Sequence, residues 1–153
     1  MAVIEAVTGA ELAIAAQLFR EYQEELDVDL CFQGFEEELA TLPGRYAPPR
    51  GSILLARVDA EVVGCVAVRP IADGICEMKR LFVRPPFRGR SIGRELAEAI
   101  IARSKSLGYG RMRLDTLVRL ERANELYARL GFVRTDPYYD NPLDGVVYWE
   151  LVL

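Results

Sequence analysis

The segment of this sequence most suited to chemistry is a turn rich in arginine and glycine. It runs from Arg84 to Arg94 as RPPFRGRSIGR and joins a strand-like run to a segment of helical period. The first turn of a helix presents unpaired backbone N–H groups and the positive end of the helix dipole, which together bind anions. Gly89 and Gly93 allow a ligand to approach the backbone closely. Because the whole chain has a net charge of −4, the four clustered arginines indicate a phosphate-bearing ligand. These four are Arg84, Arg88, Arg90 and Arg94.

Two other interpretations of this turn are open. The turn lacks the G-x-x-x-x-G-K-[ST] spacing of a Walker loop. The first alternative is a solvated turn capped by Ser91, which explains the same residues equally well. A nucleic-acid-binding module would usually carry a broader basic stripe and a positive total charge. We therefore expect no nucleic-acid partner.

Composition narrows the classes of protein further. The 153 residues are 51% hydrophobic and 27% charged, which suits one globular domain spanning residues 1–153. The absence of histidine removes the serine–histidine and cysteine–histidine nucleophiles and the commonest metal ligand, so we expect no metal. Cys31, Cys65 and Cys76 fit no zinc or redox spacing, and the last two lie in apolar runs typical of buried thiols.

The sequence shows no targeting or membrane-spanning signal. The N-terminal residues lack a basic start followed by a long apolar run, and no segment has the length of a membrane span. We expect a cytoplasmic protein that has no membrane partner.

Apolar periodicity and turn residues predict alternating strands and helices. Thr8 and Glu11 form a capping box before a helix that continues to Leu26, and Gly108 is the expected residue after the third helix. Short turns between the middle strands indicate an antiparallel meander, whereas the later strand–helix–strand step implies a parallel pair. The predicted strands are 2–7, 52–58, 61–70, 75–83, 111–118, 132–135 and 146–153, and the later helices are 35–42, 92–107 and 120–130.

Two motifs resemble those of the GNAT acetyltransferases. EMKRLFVRPPFRGRSIGRELAEAII is similar to their acetyl-CoA-binding segment, with the pattern Q/R-x-x-G-x-G/A, in which Arg88, Ser91 and Gly93 take the first, fourth and sixth places. ERANELYARLGFVRT resembles the second signature of the family around Tyr127. Both motifs stand at the family's separation. The resemblance implies a GNAT-like α/β (α+β) fold, with a mostly antiparallel sheet containing a parallel pair and flanked by helices. It also implies acetyl transfer from acetyl-CoA to a small-molecule or peptide amine.

The chain departs from the family pattern in two places. Ser91 replaces the usual glycine; serine can serve as a helix N-cap, and its N–H stays available to a ligand. The second signature often has an asparagine about two turns before the tyrosine, where this chain has Arg119-Leu120. Asn124 is nearer to the tyrosine and is not an evident substitute.

The resemblance assigns the donor site to the end of one strand and the start of the next helix. It implies that the strand end pairs with the pantetheine arm of coenzyme A where the sheet splays, and that the helix start binds the pyrophosphate while neighbouring arginines add charge. The strand residues are Phe82 and Val83, and the helix-start residues are Arg88, Gly89, Arg90, Ser91, Ile92 and Gly93.

Glu77 is the candidate base. A lysine-like amine has an ordinary pKa of about 10.4, so it must lose a proton before it attacks. Glu77 lies 11 residues before Arg88, which matches the catalytic glutamate of family members that use one. Strand alternation predicts that Glu77, Lys79, Leu81 and Val83 share one face. The alternative is an ion pair between Glu77 and Lys79 on an exposed strand, with a water as the base.

Tyr127 is the candidate acid. It matches the family tyrosine, and a phenol could protonate the departing thiolate, whose thiol has an ordinary pKa of about 8.5. The alternative is core packing, since Tyr127 shares the apolar face of its helix with Leu120, Ala123 and Leu130. An amphipathic tyrosine can do both.

The acceptor and the partners are less defined. Aromatic and acidic residues of the early helices and the late loop suit a cationic amine, although a polar helix face and a turn-rich loop explain them equally well. A non-catalytic acetyl-CoA sensor is the alternative function. The apolar final strand fits either a homodimer contact or the core. The acceptor candidates are Phe32, Phe35, Tyr46, Tyr138, Tyr139, Glu36, Glu37, Glu38, Asp136 and Asp140.

Overall fold

A single mixed sheet organises the molecule. The structure, a computed structural model, describes residues 1–31 and 34–153; Phe32, one of the acceptor candidates, lies outside the described residues. Within them, seven strands form a sheet of order β1-β2-β3-β4-β5-β7-β6. The strands are β1 (Ala2–Glu5), β2 (Ser52–Val58), β3 (Glu61–Ala72), β4 (Ile75–Val83), β5 (Arg111–Leu117), β6 (Val133–Thr135) and β7 (Val146–Val152).

Four α-helices cover the sheet in the part of the chain that is described. The predicted capping box is confirmed, because the Glu11 amide donates to Thr8 Oγ1 at 3.2 Å and the Thr8 amide donates to Glu11 Oε1 at 2.9 Å. The second helix stops at Ala40, two residues earlier than predicted, and a short 3-10 turn follows at Gly44–Tyr46. The helices are α1 (Gly9–Leu26), α2 (Phe35–Ala40), α3 (Ile92–Ser106) and α4 (Glu121–Arg129).

The two faces of the sheet carry separate apolar cores. We call the face that packs against α3 and α4 the inner face; its core includes Met78 and Leu96. The opposite face, which packs against α1 and α2, is the outer face, and its core includes Phe19 and Phe82. Cys65 and Cys76 are buried in these cores as predicted. β7 is paired on both sides, with β5 and β6, so it has no free backbone edge, and Val147, Tyr148 and Trp149 are buried. The homodimer contact stays a prediction.

The sheet opens between β4 and β5. These strands form the predicted parallel pair, but they pair only where Ile75–Glu77 meets Arg111–Arg113. Beyond Glu77 they diverge, and β4 keeps backbone pairing only with β3. We call this divergence the fork. The edge of β4 beyond the fork therefore offers backbone groups to a ligand.

A β-bulge in β4 changes which face its side chains occupy. Cys65 pairs with Phe82 and Ala67 pairs with Lys79, so β4 has one residue more than β3 in this interval. Arg80 takes up the extra length at φ 61°, the left-handed region. The prediction of one shared face for Glu77 through Val83 is therefore wrong, because simple alternation assumes an unbroken strand.

The side chains before and after the bulge confirm this change of face. Glu77 and Lys79 lie on the outer face, opposite Arg69 and Ala67. Leu81 and Val83 pack against the core of the inner face. One strand thus supplies charged groups to one face and apolar groups to the other.

A buried ion pair holds the bulge. The Arg80 guanidinium donates to both oxygens of Glu38 at 3.0 Å and lies over the Phe35 ring, 5.1 Å from its centroid. Glu38 also accepts from the Tyr46 hydroxyl at 3.0 Å. Phe35 and Tyr46 are themselves buried in the outer core. Helix α2 is therefore fixed to β4 by charge as well as by packing.

We predict that Arg80→Met lowers the free energy of unfolding by about 3 kcal/mol or more, because Glu38 is then left buried without its cation. The double variant Arg80→Met/Glu38→Met should lose less than the sum of the two single variants. Urea unfolding measures these differences. The exposed pair Arg20–Glu36 supplies the control, since Arg20→Met should leave stability almost unchanged. Equal losses for both arginine variants would contradict a structural role for the buried pair.

Candidate active site

A cleft of about 580 Å³ lies along the end of β4 between the starts of α3 and α4. Eight of the ten site residues predicted from the sequence line it, whereas Arg90 and Glu77 do not. The eight are Phe82, Val83, Arg88, Gly89, Ser91, Ile92, Gly93 and Tyr127. The sequence motifs therefore converge on one cavity, except for the candidate base.

One end of the cleft is built to receive an anion. The amides of residues 89–93 donate to no backbone carbonyl of the described residues. Gly89 has φ 80° and Ser91 has φ 63°, which turns the backbone sharply before α3 begins. Such amides at the start of a 15-residue helix are suited to bind an anion, as predicted from the sequence.

Ser91 occupies the predicted N-cap position without a side-chain capping bond. Its left-handed backbone costs a non-glycine residue about 1–2 kcal/mol. This conformation gives a physical reason for glycine in the family pattern at that place.

The arginines of this turn differ in what they can offer a ligand. Arg84 is held by Glu21 at 2.9 and 2.8 Å, and Arg94 is held by Glu98 at 2.7 Å. These two arginines are paired within the protein and do not line the cleft, so their contribution to phosphate binding stays a prediction. Arg88 lines the cleft while paired with Glu25, and Arg90 lies over the Phe87 ring at 5.3 Å.

Two arginines on the opposite wall were missed by the sequence analysis. Arg119 and Arg122 line the cleft from the start of α4, facing the free amides across it. Arg119 also donates to the carbonyl of Leu26, which ties the entry of α4 to the end of α1. Both arginines come after strand β5 in the sequence. Only the fold brings them to the same cleft as the turn before α3.

A second, smaller cavity of about 50 Å³ continues the cleft into the fork. The two cavities share Tyr22, Leu81 and Tyr127 among their lining residues. The smaller cavity is lined by polar side chains of both diverging strands, including Lys79 and Asp115. An extended ligand on the edge of β4 would therefore end among charged groups.

Tyr127 stands where the two cavities join. Its ring packs edge-to-face on Phe132 at 5.8 Å, and only 6% of the residue is exposed. Burial raises the pKa of its hydroxyl, with smaller contributions from Tyr22 and Asp115, so the phenol stays protonated. The ring belongs to the core, which confirms the packing interpretation. The hydroxyl makes no hydrogen bond to the residues described, and its role as an acid stays a prediction.

Glu77 is buried in a network of its own. Only 1% of the residue is exposed; Arg69 Nε donates to Oε1 at 2.9 Å, and the Tyr138 hydroxyl donates to Oε2 at 2.6 Å. Burial raises the pKa of this carboxyl, but the charges of Lys79 and Arg69 and these two hydrogen bonds bring it below its ordinary value. Glu77 is therefore an ionised, enclosed carboxylate on which the charge of Lys79 acts. The exposed strand considered from the sequence is wrong, because both residues are buried.

Glu77 belongs to a row of alternating charges across four strands. Strand register places Arg69, Glu77, Arg113 and Glu150 side by side on β3, β4, β5 and β7. Arg113 Nε donates to Glu150 Oε2 at 2.7 Å. We call these four residues the charged row; it lies on the last residue pair before the fork.

The late loop is tied to both strands of the fork. Next to the Tyr138–Glu77 bond, the Tyr139 hydroxyl donates to Asp115 Oδ2 at 2.7 Å. The rings of Tyr138 and Tyr139 lie 5.4 Å apart, and both approach Tyr148. Asp115 was missed from the sequence, because its importance arises only from its position across the fork.

Asn124 has a structural role. Its Nδ2 donates to the carbonyls of Leu117 and Leu120 at 3.0 and 2.9 Å, and its Oδ1 accepts from Trp149 Nε1 at 2.9 Å. These bonds join β5, α4 and β7. The side chain is thus occupied within the protein, and Asn124 does not substitute for the family asparagine.

The cleft thus runs from the amides at the start of α3 to the buried hydroxyl of Tyr127. The model of the Acetyltransferase (GNAT) family matches residues 15–132, and the chain belongs to this family. It is an acetyltransferase. An uncharacterized N-acetyltransferase of Schizosaccharomyces pombe is 48% identical over 136 residues, which cover 88% of this chain and 83% of that protein. One from Dictyostelium discoideum is 32% identical, covering 82% and 86%.

Solved structures share the fold. A Salmonella typhimurium acetyltransferase, yncA, crystallised with acetyl-CoA, superposes with a TM-score of 0.75 at 16% identity, covering 99% of this chain and 92% of that one. The PaiA N-acetyltransferase of Thermoplasma acidophilum, in complex with coenzyme A, has a TM-score of 0.75 at 16% identity and full coverage of both chains.

The described residues offer neither a membrane-spanning helix nor a metal-binding cluster. None of their helices has the length and apolar character to cross a membrane. They contain no group of three or more histidine, cysteine, aspartate or glutamate side chains that could hold a metal ion.

Substitutions at Gly93 can test coenzyme binding without disturbing the fold. A Cβ at this position would meet only Val83 Cγ2, at an ordinary 3.7 Å, so Gly93→Ala should fold and gain helix propensity. Gly93→Phe should extend a ring into the cleft and abolish the rise in melting temperature that acetyl-CoA gives the wild type. Thermal melts with and without the coenzyme test this. An equal shift in both variants would mean that the coenzyme binds elsewhere.

Proposed function

We propose that the protein transfers the acetyl group of acetyl-CoA directly to a primary amine. The observation that carries this is the continuous path from the free amides of residues 89–93, along the edge of β4, to Tyr127. Acetyl-CoA and coenzyme A in the fold neighbours support the same donor. The relatives named N-acetyltransferases favour turnover over a sensor that only binds.

The cleft fits coenzyme A at both ends. The pyrophosphate accepts hydrogen bonds from the amides of residues 89–93, with Arg88, Arg119 and Arg122 as nearby cations. The pantetheine arm adds a strand to the unpaired edge of β4 at Phe82 and Val83. Gly93 keeps this wall flat, because no side chain separates Val83 from the ligand.

The transfer forms one bond and breaks one. The neutral amine nitrogen attacks the thioester carbonyl carbon, a C–N bond forms, and the C–S bond breaks as the thiolate leaves. The amine loses one proton in this process and the thiolate gains one. The protein therefore needs one proton acceptor on the acceptor side and one donor beside the sulfur.

Glu77 takes the proton of the amine through Tyr138. Glu77 is too enclosed to touch an acceptor, but the Tyr138 hydroxyl already donates to it at 2.6 Å. Burial and the charges of Glu77 and Asp115 raise the pKa of Tyr138, so it is protonated and can pass its proton to Glu77 while it receives another. This relay places the base at the fork without exposing the carboxylate.

Tyr127 gives its proton to the sulfur. Because its pKa is raised, the Tyr127 hydroxyl is protonated at neutral pH. It lies at the junction of the two cavities, where the proposed path of the coenzyme ends. The tyrosine regains a proton from water after the thiol leaves.

Glu77→Gln should reduce kcat by roughly two to four orders of magnitude, since it removes the proton acceptor. Tyr138→Phe should reduce it by a similar factor if the relay operates. Calorimetry should show unchanged coenzyme affinity, because neither residue lines the cleft. Glu98→Gln, which changes an exposed carboxylate of α3 that pairs with Arg94 outside the cleft lining, is the control and should stay within a few-fold of wild type. Wild-type turnover of Glu77→Gln would leave Glu77 with a purely structural role.

Tyr127→Phe keeps the ring and removes one hydroxyl. We expect kcat to fall while the KM of the acceptor stays similar, and the loss to shrink with a donor whose thiol is more acidic. Tyr109→Phe removes a hydroxyl that bonds to the Arg50 carbonyl away from the cleft, and it should keep full activity. A lower melting temperature with normal activity per folded molecule would assign Tyr127 to packing alone.

A further inference from the structure

Lys79 and Asp115 face each other across the fork. They are the next residues on the outer face after Glu77 and Arg113, the last pair that joins β4 to β5. Both line the 50 Å³ cavity that continues the coenzyme cleft. The end of the donor path is therefore flanked by one cation and one anion on opposite strands.

Asp115 is held so that one of its oxygens stays available. The Tyr139 hydroxyl and Asn141 Nδ2 both donate to Oδ2, at 2.7 and 3.3 Å. Oδ1 accepts no hydrogen bond from the residues that the structure describes. Tyr148 lies opposite Asp115 on β7, so tyrosine rings wall this carboxylate on the side of the late loop. An ammonium or amine group fits such a corner.

Lys79 and Asp115 give the cavity one cationic and one anionic lining group on opposite strands. Burial and the neighbouring Arg80 lower the pKa of Lys79 to about 8; Arg69 also lowers it, while Glu77 and Asp115 raise it. An acceptor that carries both a carboxylate and an amine complements these two groups, because the Lys79 ammonium has three N–H donors and can bind an acceptor carboxylate beside its other contacts. The amine then lies against Asp115.

We propose that the acetyl acceptor is a small zwitterion of the amino-acid type, whose carboxylate pairs with Lys79 and whose amine lies beside Asp115. The inference rests on the proposed acetyl transfer and adds the class of acceptor. The amine beside Asp115 is also near Tyr138, since Tyr138 and Tyr139 are adjacent and their rings lie 5.4 Å apart. Acceptor binding and the proton relay are therefore compatible.

Free L-amino acids, their methyl esters and their decarboxylated amines test the class directly on the wild-type enzyme. Release of free thiol from acetyl-CoA gives kcat/KM for each acceptor. A carboxylate paired with a buried ammonium should make the best amino acid roughly 10- to 100-fold better than its ester and its amine. Equal values for the three forms would overturn the zwitterion and leave acetyl transfer intact. No thiol release with any amine, in enzyme that binds the coenzyme, would overturn the proposed function itself.

The two lysines of the chain provide a matched pair of variants. Lys79→Met should abolish the preference for the carboxylate, whereas Lys105→Met, on the exposed surface of α3, should keep it. For one amino acid, the ratio of wild-type kcat/KM to that of Lys79→Met should fall as pH rises through about 8, because Lys79 then loses its charge. A ratio independent of pH, or a preference retained by Lys79→Met, would contradict the role of Lys79.

Discussion

A buried negative charge at the point where the sheet divides is the constraint on which the site depends. Glu77 remains ionised there because the charges of Lys79 and Arg69, together with the hydrogen bonds from Arg69 and Tyr138, outweigh the effect of burial. The charged row extends this compensation to β5 and β7 through Arg113 and Glu150. The row joins four strands on one side of the divergence, and so it fixes where β4 and β5 part and where a ligand can enter.

The β-bulge at Arg80 lets one strand serve two purposes. Before it, β4 directs Glu77 and Lys79 to the outer face; after it, Leu81 and Val83 pack on the inner face beside α3. A regular strand would place all four on one face. The ion pair with Glu38 holds the unusual backbone, so helix α2 stabilises the geometry of the cleft although it contributes no residue to its lining.

Local signals predicted the elements well, and tertiary contacts explain what they missed. The limits of β2 and β4, the capping box of α1 and the parallel pair all follow from periodicity, turn residues and short connections. The bulge has no such signal, because nothing marks Arg80 for a left-handed backbone. The pairing of Arg84 with Glu21, 63 residues away, and the position of Asp115 opposite Lys79 depend on how the chain folds back on itself.

Tyr138 and Tyr139 have a consequence for how the fork responds to ligands. They are consecutive residues, and each hydroxyl is bound to a carboxylate on a different side of the fork. The two sides are thereby linked through a single dipeptide, whose rings are held by contact with each other and with Tyr148. A gap held in this way keeps its width before an acceptor arrives. Binding then requires little reorganisation of the strands, and more of the interaction energy remains for orienting the reacting groups.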